Sequence, residues 1–388
     1  MVSKRNNSSE YARTRLEALR NQELYRTLKR AVVNGPTATV EGREVVHLCS
    51  NDYLGLSRDA RVVRQMKNAI QSVSQCSSRL IAGNHPALLE LEQKLAKHRK
   101  TRAALVYPTG YSANLGLVSS IADKNSTIFS DELNHASIID ACRLSGATVR
   151  VFGHNSVSQL AQLMRQTRGR KIVITEGVFS MDGDVSKLEE ICAIAKEHDA
   201  ITVVDDAHGD FVFGPNFSGV PAMLKAKVDI HVSSMSKALG CFGGYVASSG
   251  PTRELLINTS RQFIYTSALP DHLCAAAISA IPLAKRGHLQ LKLQRNIRRF
   301  RESMEKAGFV LGASSSQIIP VIIGSEKLSV ESSKELLRAG VFAQAIRYPT
   351  VKKGAARLRV SLTAMHSLAH IDLATEAFRT VGLKMKII

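Results

Sequence analysis

Short apolar runs separated by helix-like stretches fill most of the chain after about residue 85. Each run is four to six residues long, which suits a buried strand, and amphipathic helical patterns lie between most of them. The predicted strands are residues 103–107, 127–130, 148–152, 171–175, 201–205 and 228–233. Strands that alternate with helices build a mostly parallel sheet with helices on both faces, so the pattern predicts an α/β fold.

The two ends of the chain have different patterns. Four leucines spaced for one helix face predict an amphipathic helix over residues 10–30, and a hairpin turning at Glu41-Gly42 is predicted over residues 38–48. Residues 270–305 predict one long helix with a kink at Pro282. A smaller α+β unit follows, with predicted strands at 317–323, 341–345 and 357–362 and predicted helices at 330–339 and 371–381.

These patterns predict three segments. Residues 1–46 form an N-terminal helix and hairpin, residues 47–284 a large ligand-binding domain, and residues 285–388 a small C-terminal domain. The formal net charge is +19, and residues 285–388 carry 19 Lys and Arg against 7 Asp and Glu. Such a field attracts anionic substrates or nucleic acid. Because there is no long Lys/Arg run and no nucleic-acid motif, nucleic acid is the weaker interpretation.

Cysteine and apolar patterns bear on the compartment of the protein. The six cysteines form no CxxC pair, which favours free thiols in a reducing cytoplasm. His366 and His370 have the i,i+4 spacing of a zinc site, but no glutamate follows His366, so we expect no metal. The longest apolar run, residues 273–284, is too short to span a bilayer, and the first residues lack the apolar stretch of a signal peptide. We expect a cytoplasmic protein without a membrane partner.

Four of the predicted strands end in unusually polar segments. These segments are residues 109–111, 176–184, 205–209 and 234–237. In parallel α/β sheets, ligands bind at the carboxyl ends of the strands, so all four are expected at one edge of one sheet. Each segment alone also has an ordinary explanation as a helix cap, a turn or a strand-end acid. Their convergence on one edge favours a binding site.

Pyridoxal phosphate is the ligand whose chemistry fits these segments. It requires a lysine for a covalent bond, here Lys237, and a carboxylate that keeps the ring nitrogen protonated, here Asp205. It also requires a group near the ring oxygen (His208), a flat partner over the ring (His135 or Tyr111) and phosphate donors (Gly110, Tyr111 and Ser234). Asp206 is interpreted as a structural hydrogen-bonding group. Taken alone, Lys237 is better explained as a surface lysine in a loop.

The chain resembles the α-oxoamine synthases, a family of fold-type I pyridoxal phosphate enzymes, over roughly residues 15–383. The motifs that carry the resemblance are Ser50-Asn51-Asp52-Tyr53-Leu54-Gly55-Leu56, Ser78-Arg79-Leu80 with Gly83 and His85, Pro108-Thr109-Gly110-Tyr111, Asn134-His135-Ala136-Ser137, the loop 175–184, Val204 to Gly209, and Arg357-Leu358-Arg359. The implied fold has a mostly parallel central sheet with helices on both faces and a smaller α+β C-terminal domain.

The resemblance implies roles for individual cofactor-binding residues. Lys237 binds the cofactor covalently and later removes the Cα proton of the amino acid, while Asp205 faces the ring nitrogen. His208 and Ser180 lie beside the ring oxygen O3′, and His135 stacks on the ring. Further contacts, mainly to the phosphate, are implied for Gly110, Tyr111 and Ser234.

The resemblance also implies how substrates bind. Asn51 and Arg359 hold substrate carboxylates, and Arg26 and Thr350 line the site of the acyl substrate, although Arg26 is equally well explained as a solvated arginine. The family forms obligate homodimers with the site at the subunit interface. Thr266 and Ser267 match a segment that reaches the phosphate of the neighbouring subunit.

The implied reaction is a decarboxylative condensation of an amino acid with an acyl thioester. The motifs resemble most the family members that join L-alanine to pimeloyl-CoA, or to a pimeloyl carrier protein, in biotin biosynthesis. Glycine with acetyl-CoA or succinyl-CoA, and serine with a fatty acyl-CoA, remain alternatives. Ser234 and Lys237 also form an S-x-x-K pair, as in serine acyl-hydrolases, but the S-D-N and K-T-G motifs of those enzymes are missing.

Overall fold

The computed structural model describes residues 8–22 and 24–388. Residues 1–7, with which the first predicted segment begins, and residue 23, inside the first predicted helix, lie outside the described residues. The helices of at least four residues in the described chain are α1 Ser8–Asn21, α2 Ala60–Asn68, α3 Pro86–Arg99, α4 Gly110–Ile121, α5 Ala136–Ser145, α6 Val157–Arg165, α7 Leu188–Glu197, α8 Gly219–Met223, α9 Gly250–Thr259, α10 Arg261–Ile264, α11 Asp271–Ala284, α12 His288–Lys306, α13 Glu326–Arg338 and α14 Leu368–Lys384.

The strands of the described chain form three sheets. Their bounds are β1 Ala31–Asn34, β2 Thr37–Val40, β3 Arg43–His47, β4 Ala103–Tyr107, β5 Ser126–Asp131, β6 Thr148–Phe152, β7 Arg170–Glu176, β8 Ala200–Asp205, β9 Ile230–Ser234, β10 Gly244–Ser248, β11 Ile318–Gly324, β12 Val341–Phe342, β13 Gln344–Ile346 and β14 Ala356–Ser361. All six strands predicted for the large domain are present, and the predicted α/β fold is confirmed.

The largest sheet has seven strands in the order β4-β10-β9-β8-β7-β5-β6. Six of these strands run in the same direction, and β10 lies antiparallel between β4 and β9. Strand β10 was not predicted, because it begins at Gly244 directly after Gly243 and its five residues have no distinctive apolar pattern. Its place is decided by pairing on both sides, which is a property of the assembled sheet.

Helices cover both faces of this sheet. Leu105 and Val203 belong to the apolar cluster on one face, whereas the next residues along each strand, Val106 and Val204, belong to the cluster on the other. All four side chains are buried. Alternation along a strand sends successive side chains to opposite faces, so continuous apolar runs such as these require two covered faces. The carboxyl ends of the parallel strands are thereby held at one edge.

The small domain is built on the sheet β11-β14-β13, in which both pairs are antiparallel. The predicted hairpin is present as β2 and β3, with Glu41 and Gly42 at positive φ in its turn. Strand β3 pairs in parallel with β12, so the hairpin and the C-terminal residues share one sheet. The division into three segments stays a prediction.

Three predicted elements differ from the structure. Helix α1 ends at Asn21 rather than near residue 30, and the residues after Leu24 up to β1 lack regular structure. The predicted long helix is two helices, because α11 ends at Ala284 and Gly287, at φ 83°, precedes α12. The predicted strand over 341–345 is divided between two sheets, as β12 and β13. The break before α12 lies at Gly287 and is local, whereas the division of 341–345 follows from pairing with two different sheets.

Membrane-spanning helices and metal-binding clusters are both absent from the described residues. No helix in residues 8–22 and 24–388 is long and apolar enough to cross a membrane. Across the same residues, no three or more His, Cys, Asp or Glu side chains are grouped so that they could hold a metal ion.

Candidate active site

A cavity of about 210 Å³ lies at the carboxyl ends of β4, β7, β8 and β9. This is the edge of the sheet at which the four polar segments were expected to meet. Its lining includes residues from all four segments together with side chains of α4 and α5. They are Thr109, Gly110, Tyr111, Asn114, His135, Ser137, Glu176, Asp205, Ala207, His208, Ser234, Ser236 and Lys237.

Lys237 lies in the turn that follows β9 and lines this cavity. Burial and the positive charge of Arg359 lower the pKa of its ammonium group, whereas the nearby carboxylate of Asp205 opposes that shift. A less basic lysine has a larger share of free amine at neutral pH, which is the form that attacks an aldehyde. Lys237 is therefore a half-buried residue of the cavity rather than a lysine of the outer surface, and its bond to the cofactor stays a prediction.

Asp205 is the last residue of β8, and both of its carboxylate oxygens are held. Asn114 of α4 donates from Nδ2 to Oδ2 over 2.7 Å, and the backbone N–H of Ala207 donates to Oδ1 over 3.0 Å. Asn114 is buried and also donates to Ser137 Oγ over 2.9 Å. The sequence analysis gave no role to Asn114. Its position one turn after Thr109-Gly110-Tyr111 was the available signal.

A chain of hydrogen bonds connects His208 to Arg359. Tyr53 Oη lies 2.6 Å from His208 Nδ1 and donates toward Asn51 Oδ1 over 3.1 Å, and Arg359 lies 3.4 Å from the same Asn51 oxygen. Burial and the positive charges of Lys237 and Arg359 hold the pKa of His208 well below its usual value, so the ring is neutral. Gln317 Nε2 donates to the carbonyl of His208 over 2.8 Å and fixes its backbone. Tyr53 and Gln317 were not among the predicted site residues.

Two arginines of β14, Arg357 and Arg359, contact the loop that carries Ser180. Arg359 donates from Nε to the carbonyl of Ser180 over 2.7 Å, and Arg357 pairs with the carboxylate of Asp182. The alternation along β14 placed both arginines on the same face, and both do reach the 180–182 loop. Arg359 alone of the two also reaches Asn51, which is the arrangement expected of a carboxylate-binding pair.

The amino end of α4 forms the side of the cavity that is predicted to bind the cofactor phosphate. Thr109 caps this twelve-residue helix in a capping box with Ser112, so Gly110 and Tyr111 lie in its first turn. The first backbone N–H groups of a helix have no intrahelical acceptor and point out of its end. A Cβ at Gly110 would come within 3.0 Å of Ser234 Cβ, so glycine keeps the helix end close to that serine.

His135 and Tyr111 are the two aromatic residues at the mouth of the cavity. Both are exposed, and their rings meet edge to face at 6.4 Å. His135 Nδ1 lies 2.8 Å from Ser137 Oγ, which orients the imidazole. His135 thus lines the cavity in a position from which it can cover a flat ring, while the choice between the two rings as stacking partner stays a prediction.

The residues around the cavity fit pyridoxal phosphate. An amine with lowered pKa, a carboxylate fixed by two donors, a neutral imidazole and a helix amino end line one space. The buried Oε1 of Glu176 and Oδ1 of Asn114, both in the cavity lining, have no hydrogen-bond partner among the described residues. A polar ligand in the cavity would supply the hydrogen bonds that these two atoms lack.

Seven predicted site residues are not in the lining of this cavity. Three of them, Asn51, Ser180 and Arg359, belong to the hydrogen-bonded group described above, and the other four lie elsewhere. Arg26 and Thr350 are exposed and line a separate groove of about 720 Å³ between the N-terminal segment and the small domain. Thr266 and Ser267 lie in the loop between α10 and α11. The structure brings the first two together, and the predicted roles of all four stay predictions.

A buried charge cluster lies behind the cavity. Asp206 points away from Asp205 and pairs with Arg99 of α3 over 2.8 Å, and Arg99 also lies 3.1 Å from Asp210. Asp210 accepts from Tyr245 and lies 2.9 Å from His98 Nε2. Asp206 is therefore a structural hydrogen-bonding group, as interpreted from the sequence.

Comparisons with known proteins identify the family of this chain. The family described as aminotransferase class I and II matches residues 43–378. An 8-amino-7-oxononanoate synthase of Thermoanaerobacter pseudethanolicus is 40% identical over 388 aligned residues, covering 98% of each chain.

Two solved structures share the fold over most of the chain. A lysine-to-alanine variant of the serine palmitoyltransferase from S. paucimobilis, with a bound PLP–myriocin aldimine, is 30% identical, with a TM-score of 0.92 and coverage of 99% of this chain and 100% of that one. An 8-amino-7-oxononanoate synthase from Francisella tularensis is 27% identical, with a TM-score of 0.76 and coverage of 89% and 99%. The chain belongs to the class I and II aminotransferase family and resembles 8-amino-7-oxononanoate synthase over nearly its whole length.

Proposed function

We propose that this protein is a pyridoxal phosphate-dependent acyltransferase of biotin biosynthesis. It condenses L-alanine with pimeloyl-CoA or a pimeloyl carrier protein and releases 8-amino-7-oxononanoate, the free thiol and carbon dioxide. The observation that carries this proposal is the meeting of Lys237, Asp205 and His208 in one cavity, in a chain 40% identical to a synthase of that name. The cofactor of this chain is pyridoxal phosphate.

When bound, pyridoxal phosphate supplies an aldehyde that bonds to an amine and a ring that takes up the electron pair released at Cα. Lys237 Nζ is the amine that holds the cofactor, and once displaced by the amino acid it accepts the Cα proton. Asp205 would face the ring nitrogen, and Asn114 and the Ala207 amide hold its carboxylate in place.

Asn51 and Arg359 hold the carboxylate of the amino acid. Arg359 is buried and is oriented by the Ser180 carbonyl and by Ser361 Oγ, with one terminal nitrogen turned toward Asn51. A guanidinium fixed in this way binds a carboxylate with less loss of side-chain freedom. The side chain of Ser180, whose carbonyl accepts from Arg359, is proposed to contact the ring oxygen together with His208.

The groove lined by Arg26 and Thr350 is proposed to receive the acyl donor. Its lining mixes basic side chains, among them Lys29, Lys334 and Arg347, with apolar ones such as Phe342. An anionic carrier with an apolar acyl chain suits this composition. The structure favours neither coenzyme A nor a carrier protein.

A homodimer and a cytoplasmic location complete the proposal. Thr266 and Ser267 lie on an exposed segment beside Tyr265, outside the cavity of their own subunit. We propose that they reach the cofactor phosphate of the partner subunit, as the family resemblance implies. Sedimentation of the purified protein, with and without cofactor, tests the dimer.

The first experiment is the visible absorption spectrum of the purified protein with pyridoxal phosphate, followed by titration with L-alanine and then by turnover with pimeloyl-CoA. A visible band that responds to L-alanine and requires Lys237 is the expected result, with Lys237→Ala lacking it and the exposed Lys227→Ala retaining it. Absence of the band in the wild-type protein, or full turnover by Lys237→Ala, overturns the proposal.

A second candidate, condensation of serine with a fatty acyl thioester, is favoured by one observation. The serine palmitoyltransferase has the higher TM-score of the two solved structures, 0.92 against 0.76. Backbone similarity reports the shared fold and conformation rather than the substrate. Parallel titrations with L-serine and glycine decide between the candidates, because the true substrate changes the band at the lowest concentration.

A further inference from the structure

Glu176 has no role in the proposed reaction, yet it lines the cofactor cavity. It is the last residue of β7 and pairs in register with Asp205, the last residue of β8, so the two acids lie side by side at the sheet edge. The Glu176 side chain is buried, with 2% of its surface exposed. Two adjacent carboxyl groups in a buried site do not both ionise at low cost, because each disfavours the charge of the other.

The hydrogen bonds around the two acids are unequal. Both oxygens of Asp205 accept from donors, whereas Oε1 of Glu176 has no hydrogen-bond partner among the described residues. A third acid, Asp131, lies nearby and accepts from the backbone N–H groups of Leu133 and Asn155. The backbone amides of His135 and Ser180 also face Glu176, but they leave Oε1 without a partner, whereas both oxygens of Asp205 are held.

We propose that Glu176 carries a proton in the folded active site, so that the pair of strand-end acids holds a single negative charge and that charge lies on Asp205. This inference rests on the proposed function, because it describes the charge presented to the cofactor ring. Glu176 is then a positioning residue, which acts on the cofactor through the ionisation of Asp205.

The surrounding charges support this assignment. Burial raises the pKa of Glu176 well above its usual value, and the negative charges of Asp205 and Asp131 raise it further. The backbone amides of His135 and Ser180 oppose these effects without offsetting them. Lys237 and His208 also face the cavity, and the ring of His208 is neutral. The positive charges near the cavity belong to Lys237 and Arg359.

A neutral Glu176 has two consequences. The negative charge opposite the ring nitrogen stays on the acid that two donors hold in place, so its position is fixed. The unpartnered Oε1 can also donate a hydrogen bond to a group bound in the cavity, which a carboxylate cannot do. The arrangement resembles other active sites in which neighbouring carboxyls are held in opposite protonation states.

The direct test is an infrared spectrum of the wild-type holoenzyme at neutral pH, made with isotope-labelled glutamate so that buried aspartates do not contribute. A protonated carboxylic acid band from glutamate that is absent in Glu176→Gln is the expected result. The presence of only carboxylate bands from glutamate in the wild-type protein overturns the inference. The infrared band is measured without turnover, so its result can be told apart from the result of the test of the proposed function.

The second test is the pH at which the visible cofactor band changes. Replacement of a neutral carboxyl by an amide in Glu176→Gln should move this midpoint by less than about 0.3 pH unit, whereas removal of an ionised neighbour would lower it by about one to two units. A large shift in Glu176→Gln contradicts the inference. If Glu176→Gln does not fold, the labelled wild-type spectrum still decides.

Discussion

The hydroxyl of Tyr53 lies 2.6 Å from Nδ1 of His208, and both side chains are buried. The same hydroxyl lies 3.1 Å from Oδ1 of Asn51. Because a hydroxyl has one proton, it donates to one of these two acceptors and determines which nitrogen of the neutral His208 ring carries the hydrogen. The second nitrogen then meets the cofactor as a donor or as an acceptor. Tyr53 therefore links the group at the ring oxygen to the pair that holds the substrate carboxylate.

Replacement of Tyr53 by phenylalanine should lower kcat about tenfold with a smaller change in KM, because the His208 ring loses the contact that fixes its tautomer. The pH profile of kcat should also shift. Steady-state kinetics over a range of pH measure both. The matched control is Tyr107→Phe, which removes a buried hydroxyl bonded to Ser260 outside the cavity lining. Equal losses in the two variants would show that Tyr53 acts only through packing.

Replacement of Asp205 by asparagine should lower kcat by about a hundredfold or more, because the ring nitrogen loses the charge that keeps it protonated. Cofactor should still bind, since the phosphate-binding side at α4 is unchanged. The visible spectrum and single-turnover kinetics measure the two effects separately. Asp199→Asn is the control, because Asp199 is exposed and adopts a left-handed conformation that asparagine tolerates. A similar loss in both variants would contradict the assigned role.

Three glycines enclose the buried carboxylate of Asp206. A Cβ at Gly177, Gly209 or Gly219 would overlap its oxygens, and at Gly219 it would also come within 2.6 Å of Arg99. Substitution Gly219→Ala should therefore lower the free energy of unfolding by about 3 kcal/mol or more, because it displaces a buried ion pair.

Gly146→Ala is the matched control for this effect. Gly146 also has positive φ, but a Cβ there meets no atom within 4 Å, so only the backbone cost of about 1 kcal/mol is expected. Urea unfolding at one protein concentration measures both variants. Equal destabilisation would mean that crowding at Asp206 adds nothing to the conformational cost.

His154 holds the loop that carries Ser180. Its imidazole lies 3.1 Å from Asp131 and 2.8 Å from Asp184, and hydrogen bonds and charges from these acids raise its pKa from 6.5 to about 10 although burial opposes the shift. A pKa raised by folding stabilises the folded state fully below about pH 6.5, and this stabilisation is lost as the pH rises toward 10.

The substitution His154→Gln should therefore lower the free energy of unfolding at pH 6 by on the order of 2 kcal/mol, since the side chain is partly exposed. The difference between wild type and variant should shrink steadily as the pH rises to 10. Chemical unfolding at several pH values measures it. The exposed His288→Gln serves as control. A difference that stays constant with pH would show that His154 contributes packing rather than charge.

Local patterns predicted the residues with the most distinctive chemistry. Lys237, Asp205 and His208 each follow a strand of recognisable pattern, and the rule that ligands bind at strand ends was enough to bring them together. Asn114, Tyr53 and Gln317 were missed, because each is an ordinary residue whose role depends on which distant side chain lies within hydrogen-bonding distance. Glu176 was noted only as part of a polar loop, since its unusual state arises from the register of β7 with β8.

The sequence by itself determined the alternation of strands and helices, the edge of the sheet that binds ligand and the cofactor that suits it. Periodicity and short motifs are local properties, and they can be recognised without knowing which residues lie close together in space. Tertiary structure alone decided the insertion of β10 between β4 and β9, the separation of Arg26 and Thr350 from the cavity of Lys237, and the unequal surroundings of Asp205 and Glu176. These features depend on pairing, burial and charge between segments far apart in the chain, where the energy of a group is set by what packs against it.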